Sequence, residues 1–416
     1  MLTMGLMRAI KQSAGWAKRT LLGDSLIRRM PPYYRIGLKV FDQLAQADLA
    51  TRRAFSLERL QKILRRAQKT AYGRTVHGGT SIYSWSLLQK DIVRDNPQAF
   101  LALPAWLTVP ASTSGTTGLP LKLFRSYPSI AIEQAALDWL YYQAGLNPLR
   151  AKVAALRGEN IKPPDDLTPP FWRYDAGGKR MVMSSNHLNA KTLPAYYEAL
   201  QSFQPDCLWA YPTSLDQLCR LMKECNLTLH IPLVITSSEM LGAHSHTLVQ
   251  EALQSHIVDY YGQAERVNFA YSFTEGEYYF LPGYAWNELI LTEVNEEGAL
   301  YEIVGTTLWN MAMPLVRYRT GDYIRFPHPL SEEELEAVCF GVKPFSGILG
   351  RVNDILIAPD GTHLTGIDHI PRDVAHVVRM QMIQESPDRV RILVVPTPEF
   401  CDADRETIMC NAQLKI

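Results

Sequence analysis

The chain carries no surplus of either charge. Its 42 Lys and Arg are matched by 42 Asp and Glu over 416 residues, which excludes the basic excess that a nucleic-acid backbone binder relies on. Cysteine is scarce. Six occur, at 207, 219, 225, 339, 401 and 410, with no C-x-x-C pair. That speaks against a disulfide framework, and a zinc site from Cys207, Cys219 and Cys225 fits no zinc-module spacing. Reduced, buried thiols in a cytoplasmic protein are the expectation. The start of the chain lacks the apolar segment of a secretory leader: residues 1–30 hold six Lys/Arg and one Asp without a hydrophobic stretch. The longest uncharged run, residues 96–121, matches a bilayer in length but contains four prolines and a Ser/Thr cluster, so no membrane helix is expected. H-E-x-x-H, G-x-S-x-G and G-x-G-x-x-G are all missing, which removes the commonest zinc-protease, serine-hydrolase and dinucleotide-binding readings. His244 and His246 have no third ligand nearby in sequence, so packed or surface histidines are expected there. There is no internal repeat and no low-complexity tract.

What is there reads as a folded α/β protein. Hydrophobic residues make 47% and charged residues 20%, near the globular average. The length allows two to four domains, or one large domain with an appendage. Residues 1–100 read as helical. Leu57, Leu60, Ile63, Leu64 and Ala67 share a helix face, with Ser56 as expected N-cap and Gly73 as expected stop. From about residue 105, short apolar runs at 151–156, 207–210, 233–236 and 257–261 alternate with helical patterns at 130–143, 192–202 and 214–225. That alternation predicts mixed or parallel sheets. Segments 278–281, 288–293, 300–304 and 323–326 predict a β-rich meander or small barrel. A boundary is expected at Gly350-Arg351, giving a large domain over 1–350 and a short, incomplete α+β domain over 351–416.

Four segments carry chemistry. In Ser112, Thr113, Ser114, Gly115, Thr116, Thr117 and Gly118, five hydroxyls and two glycines fall within seven residues, and Lys122 follows. Glycine lets successive N–H groups converge into an anion nest, and the hydroxyls and Lys122 add donors for a triphosphate. A flexible Ser/Gly linker is the ordinary alternative, but it leaves the uncharged approach unexplained. Next, an apolar strand runs through Tyr260 and Tyr261 into Gly262, followed by Gln263, Ala264 and Glu265. Glu265 is placed to hold Mg²⁺ against phosphate oxygens, although strand–Gly–Glu sequences are common. In the segment Arg317, Tyr318, Arg319, Thr320, Gly321, Asp322, the carboxylate past a glycine suits two ribose hydroxyls, or is an ordinary turn Asp. Last, Arg351 and Asn353 lie where a hinge would serve a domain junction.

Taken in order, these segments resemble the adenylate-forming superfamily of acyl-CoA ligases. The wording resembles the phenylacetate–CoA ligase family, in its capsular-polysaccharide-biosynthesis-type branch. The run from Ala210 and Tyr211 to Leu215 and the run Thr236, Ser237, Ser238, Glu239 strengthen the likeness, which covers about residues 55–395. The resemblance implies that residues 112–118 and Lys122 cradle ATP, that Ser238 and Glu239 line the adenine pocket, and that Tyr261 and Gly262 border adenine and acyl group. It also implies that Glu265 binds Mg²⁺, that Asp322 takes the ribose with Arg351 assisting, and that Asn353 is the hinge. The implied reaction is attack of a small or aryl carboxylic acid on ATP, giving an acyl-AMP. The acyl group then passes to CoA, to a carrier-protein thiol or to an amine.

Two departures stand out. The hydroxyl residue usual before the glutamate is replaced by Ala264, at an expected cost of roughly 1.5–3 kcal/mol for a charge-assisted hydrogen bond; Gln263 is the substitute phosphate contact. The family's Gly-Lys catalytic lysine is not matched by Lys415, which has no glycine before it. Full activity is therefore set against two alternatives: an adenylate-binding subunit for a partner enzyme, and AMP transfer to a non-carboxylate acceptor.

Overall fold

The computed structural model describes residues 28–112, 121–163, 166–239, 241–296 and 298–349. Beyond these it describes 356–357, 363–364, 370, 374, 376–396 and 398–413. The first helices are α1 (Tyr33–Ala45) and α2 (Leu49–Ala67). The N-cap of α2 is Asp48, whose carboxylate accepts from the Thr51 N–H at 2.8 Å, not the expected Ser56. Ser56 is buried mid-helix, and Gly73 lies within a separate short helix, Ala71–Thr75. The helix begins earlier than its apolar pattern because Arg52 and Ser56 occupy the buried stripe. The Arg52 guanidinium is used up there, donating to the carbonyls of Ala45, Ala47, Phe340 and Gly341.

The uncharged run ends in β1 (Val109–Ser112), paired antiparallel with β2 (Lys122–Arg125), and Ser112 faces Lys122 across the ladder. Helix α3 (Tyr127–Gln143) follows. The main sheet is then laid down by β3 (Val153–Leu156), β4 (Trp172–Asp175), β5 (Arg180–Met183), β6 (Cys207–Ala210), β7 (Leu233–Ser237), β8 (His256–Gly262), β9 (Phe269–Thr274) and β10 (Glu277–Phe280). Its order is β10-β9-β8-β7-β6-β3-β5-β4. The five strands β5, β3, β6, β7 and β8 are parallel neighbours, and the outer strands are antiparallel. Helices α4 (Leu193–Phe203), α5 (Pro212–Glu224) and α6 (Ala243–Leu253) are crossovers of this parallel part, as parallel pairing requires.

The helices pack on both faces. Phe41, Leu60, Ile63, Ile132 and Trp139 cover one face, against Cys207, Leu233, Ile235 and Val258. Tyr196, Leu200, Leu215, Met222 and Leu253 cover the other, against Met181, Met183, Val234 and Ile257. Strand side chains therefore alternate between two cores, which fixes the face of every polar residue discussed below.

A three-stranded antiparallel meander, β11 (Ala285–Asn295), β12 (Gly298–Thr307) and β13 (Tyr318–Phe326), packs beside the sheet. The segment at 278–281 was expected in this meander. It instead forms β10 at the edge of the main sheet, because Gly276, at φ +76°, turns the chain back onto β9. Helix α7 (Glu332–Cys339) opens with a capping box between Ser331 and Glu334. Two-residue strands β14 (Leu356–Ile357) and β15 (His363–Leu364) pair. The hairpin of β16 (Val377–Ser386) and β17 (Arg389–Pro396) is followed by helix α8 (Asp402–Gln413), with a small core of Leu356, Ile370, Val374, Ile408 and Ala412. Gly350 and Arg351 lie outside the described residues.

Cys207, Cys219 and Cys339 are buried, and burial pushes each thiol up to about 12. Cys225, Cys401 and Cys410 are exposed, so only half of the thiols match the expected burial. Among the described residues no cluster of three His, Cys, Asp or Glu could hold a metal ion, and no helix is long and apolar enough to cross a membrane.

Candidate active site

Parallel strands share one carboxyl edge, and the loops leaving it converge. Arg157 follows β3, Tyr211 follows β6, Ser238 and Glu239 follow β7, and Gln263 to Glu265 follow β8. Ser238 sits at φ +74°, and Glu239 accepts from the Thr213 N–H at 2.9 Å. The loop after β7 is thus bonded to the first turn of α5.

Strand β13 reaches this edge from the meander. The Tyr261 hydroxyl donates to Asp322 Oδ2 at 2.6 Å, and Gln263 Nε2 donates to the same hydroxyl. Burial, and then the Asp322 charge, push the Tyr261 phenol well up, so it remains a donor. Asp322 is aimed by its own N–H, bonded to Thr320 Oγ1 at 3.0 Å, and by Gly321 at φ +75°. Glu265 is nearly buried, and its Oε1 accepts from the Tyr318 hydroxyl at 2.8 Å. The arginines of the same segment do other work. Arg317 pairs with Glu288 at 2.9 Å and Arg319 with Glu302 at 2.5 Å, locking β13 into its sheet. A chain of amides extends inward, from Asn268 to Asn287 at 2.8 Å and from Asn287 to the Cys339 carbonyl at 2.8 Å.

The β1–β2 hairpin joins this cluster through Arg125, whose guanidinium donates to the Ala264 carbonyl at 2.8 Å. Burial and neighbouring Arg266 pull Arg125 down to about 10. Ser112 and Lys122 form the last ladder pair before the segment between them. Thr113, Ser114, Gly115, Thr116, Thr117 and Gly118 lie outside the described residues, as do Arg351, Asn353 and Lys415. The structure therefore brings together Tyr261, Gly262, Gln263, Glu265 and Asp322, and ties the hairpin of Ser112 and Lys122 to them. Glu239 is held separately, by Thr213, with Ser238 just before it in the loop. Sequence reasoning passed over Tyr318 and Arg125, which act on Glu265 and Ala264. It also passed over Arg157, although a charge directly after the apolar run at 151–156 was a signal.

On the helix-α3 face of the sheet stand Trp209 and Tyr260, with Arg157 stacked over Trp209 at 4.1 Å and over Tyr211 at 5.1 Å. On the other face Asp259 accepts from Thr236 at 2.5 Å and from Tyr278 at 2.6 Å. Burial pushes Asp259 up to about 6 against these two bonds.

The mixed α/β architecture, with its large sheet and small β subdomain, matches the fold of adenylate-forming ligases. The chain superposes on 2-hydroxyisobutyryl-CoA ligase in the postadenylation state, in complex with R3-HIB-AMP, with a TM-score of 0.54 at 15% identity, over 86% of this chain and 82% of that one. The same ligase with 2-HIB-AMP and CoA, in the thioesterification state, gives 0.52 at 15% identity, over 89% and 84%. Protein CapK of Staphylococcus aureus is 24% identical over 336 residues, which is 77% of this chain and 70% of CapK. No family model matches the chain.

Proposed function

We propose that this chain activates a small or aryl carboxylic acid with ATP as an acyl-AMP and passes the acyl group to CoA or another thiol or amine, as a phenylacetate–CoA ligase-like enzyme. The observation that carries this reading is the convergence of Glu265 and Asp322 at the carboxyl edge of the sheet, each oriented by a tyrosine hydroxyl. A carboxylate fixed by Tyr261 and Thr320 presents acceptors in a set direction, which suits the two hydroxyls of a ribose. Glu265 fits a magnesium ion: it is one nearly buried carboxylate with Oε1 engaged, and among the described residues Oε2 has no partner. Magnesium takes one or two carboxylates and fills its shell with phosphate oxygens and water, so Glu265 would hold it against the nucleotide, where it would neutralise phosphate charge.

The protein's share of adenylation is alignment and charge stabilisation. Lys122 and the Ser112–Lys122 hairpin would steady the phosphates, with the hydroxyls of residues 113, 114, 116 and 117. Ser238, Glu239, Tyr261 and Gly262 would bound the adenine, and Gln263 would stand in for the hydroxyl that Ala264 lacks. Arg351 would assist at the ribose and Asn353 would serve as hinge.

Pyrophosphate release from ATP and Mg²⁺, measured over a panel of aryl and short-chain acids, tests the reading. Release that depends on one acid, and that falls at least about 100-fold in Glu265→Ala, is expected. Silence across the panel while AMP still binds would replace it with a binding-only protein.

A further inference from the structure

The helix-α3 face of the sheet holds a polar cluster in which donors outnumber acceptors. Arg157 leaves the end of β3, Arg180 opens β5, and Trp209, in β6, packs against the α3-side core. The Arg157 guanidinium lies 4.1 Å from the Trp209 ring centre, and the Arg180 guanidinium lies 6.0 Å from it. Stacking engages the flat face of a guanidinium but leaves its in-plane N–H groups in need of acceptors. Among the described residues, Arg157 Nε, Arg180 Nε and Trp209 Nε1 are all buried with no hydrogen-bond partner. A bond Arg157 makes on this face, to Ser237 Oγ, is 3.5 Å long and so at the outer limit. Among the described residues, neither arginine is paired with a carboxylate. A buried donor without an acceptor costs about 1–3 kcal/mol, and more when charged. Two cations and an indole N–H around one ring are therefore an incomplete set, whose complement is a planar anion that accepts from guanidinium edges.

The position narrows the identity of that anion. Ser237 immediately precedes Ser238, and Tyr260 immediately precedes Tyr261, but both point to the α3 face. The cluster thus borders the nucleotide-side residues from the acid side, with Trp209, Tyr211 and Tyr260 as flat walls. The reacting carboxyl belongs near Glu265, at β8. The arginines stand three and four strands away, Arg157 just past the carboxyl end of β3 and Arg180 at the amino end of β5.

We propose that the acid this chain takes carries a second carboxylate, and that Arg157 and Arg180, stacked on Trp209, bind it at the end remote from the reacting carboxyl. This rests on the adenylation reading for the fate of the acid, but not for its binding.

The test uses matched pairs, isophthalate against benzoate and succinate against butyrate, titrated calorimetrically into the full chain without nucleotide. Wild type, Arg157→Gln, Arg180→Gln and Arg157→Lys are compared. The dicarboxylate of at least one pair binds tenfold or more tightly than its partner. Each Gln variant weakens the dicarboxylate by about 10- to 100-fold, as loss of a charge-assisted bond predicts, and leaves the monocarboxylate within about twofold. Arg157→Lys, which keeps the cation, restores part of the affinity and guards against a folding artefact. In pyrophosphate release the same Gln variants raise KM for the dicarboxylate with kcat retained, because a remote contact acts equally on ground and transition states. Equal binding within both pairs, no binding of either dicarboxylate, or equal weakening of both acids by the Gln variants would overturn the proposal. Arginine-dependent binding without pyrophosphate release would sink the adenylation reading and keep this one. Release with monocarboxylates alone would do the reverse.

Discussion

The two faces of the eight-stranded sheet treat buried polar groups in opposite ways. On one face Asp259 is closed: one carboxylate oxygen takes the Thr236 hydroxyl and the other takes that of Tyr278. On the other face Arg157, Arg180 and Trp209 are open, with buried N–H groups facing no acceptor. A closed network of the same kind joins the first described residues to α3. Asp138, fully buried, accepts from Arg29 at 2.5 and 2.6 Å, from Tyr34 at 2.6 Å and from Gln134 at 2.9 Å. Networks whose donors and acceptors match hold the fold. A network short of acceptors is finished by something that arrives from outside. Disturbing the first kind should move stability, and disturbing the second should move ligand affinity while stability stays nearly still.

The largest stability effect is expected at Asp138. Asp138→Ala removes the acceptor that Arg29, Tyr34 and Gln134 share, and breaking one partner of a buried pair costs about 3–5 kcal/mol. Urea denaturation measures it, and a loss under about 1 kcal/mol would mean that the network is not closed as described.

Asp259 comes next, and its effect depends on pH. Burial pushes its carboxyl up to about 6 in the folded state, against 3.8 for a free aspartate, so the folded state holds this proton more tightly than the unfolded chain. The stability it contributes is complete below about pH 4 and is lost as pH rises through about 6. Asp259→Asn cannot lose a proton. The variant should therefore gain roughly 3 kcal/mol on wild type between pH 4 and pH 7. Parallel stability curves for the two proteins would remove the assigned cause.

Asp48→Ala, which removes an N-cap on an exposed helix start, should lower the urea midpoint by less than Asp138→Ala does, with no pH window near neutrality. The smallest stability effect belongs to the open cluster. Arg157→Gln and Arg180→Gln give up one stacking contact each and should shift unfolding by under about 1 kcal/mol. A shift as large as that of Asp138→Ala would make the arginines structural and erase the contrast.

The sequence made some of this legible because some of the physics is local. Apolar runs at 207–210, 233–236 and 257–261 became β6, β7 and β8 almost residue for residue, since buried parallel strands read as continuous hydrophobic stretches. Glu265 and Asp322 were picked out by a glycine, three residues before the first and directly before the second. What stayed hidden depends on chain crossings. Nothing near Glu265 announces that Tyr318 will reach it from another sheet, and nothing near Arg180 announces Trp209. The start of α2 was misplaced because Arg52 and Ser56 interrupt its apolar stripe, and Arg52 finds its partners nearly 290 residues away. Strands β4 and β5 were missed because each is four residues long and opens on a polar or amphipathic side chain.

In the proposed adenylation a carboxylate attacks the α-phosphorus of ATP at the edge where Glu265 and Asp322 converge. Acid labelled with ¹⁸O in its carboxyl group, incubated with ATP, Mg²⁺ and CoA, tests this directly through the mass of the AMP released. Attack by the carboxylate leaves one labelled oxygen on AMP once the acyl group has moved to the thiol, and Glu265→Ala should abolish that product. Turnover of ATP that yields only unlabelled AMP or ADP would contradict the account.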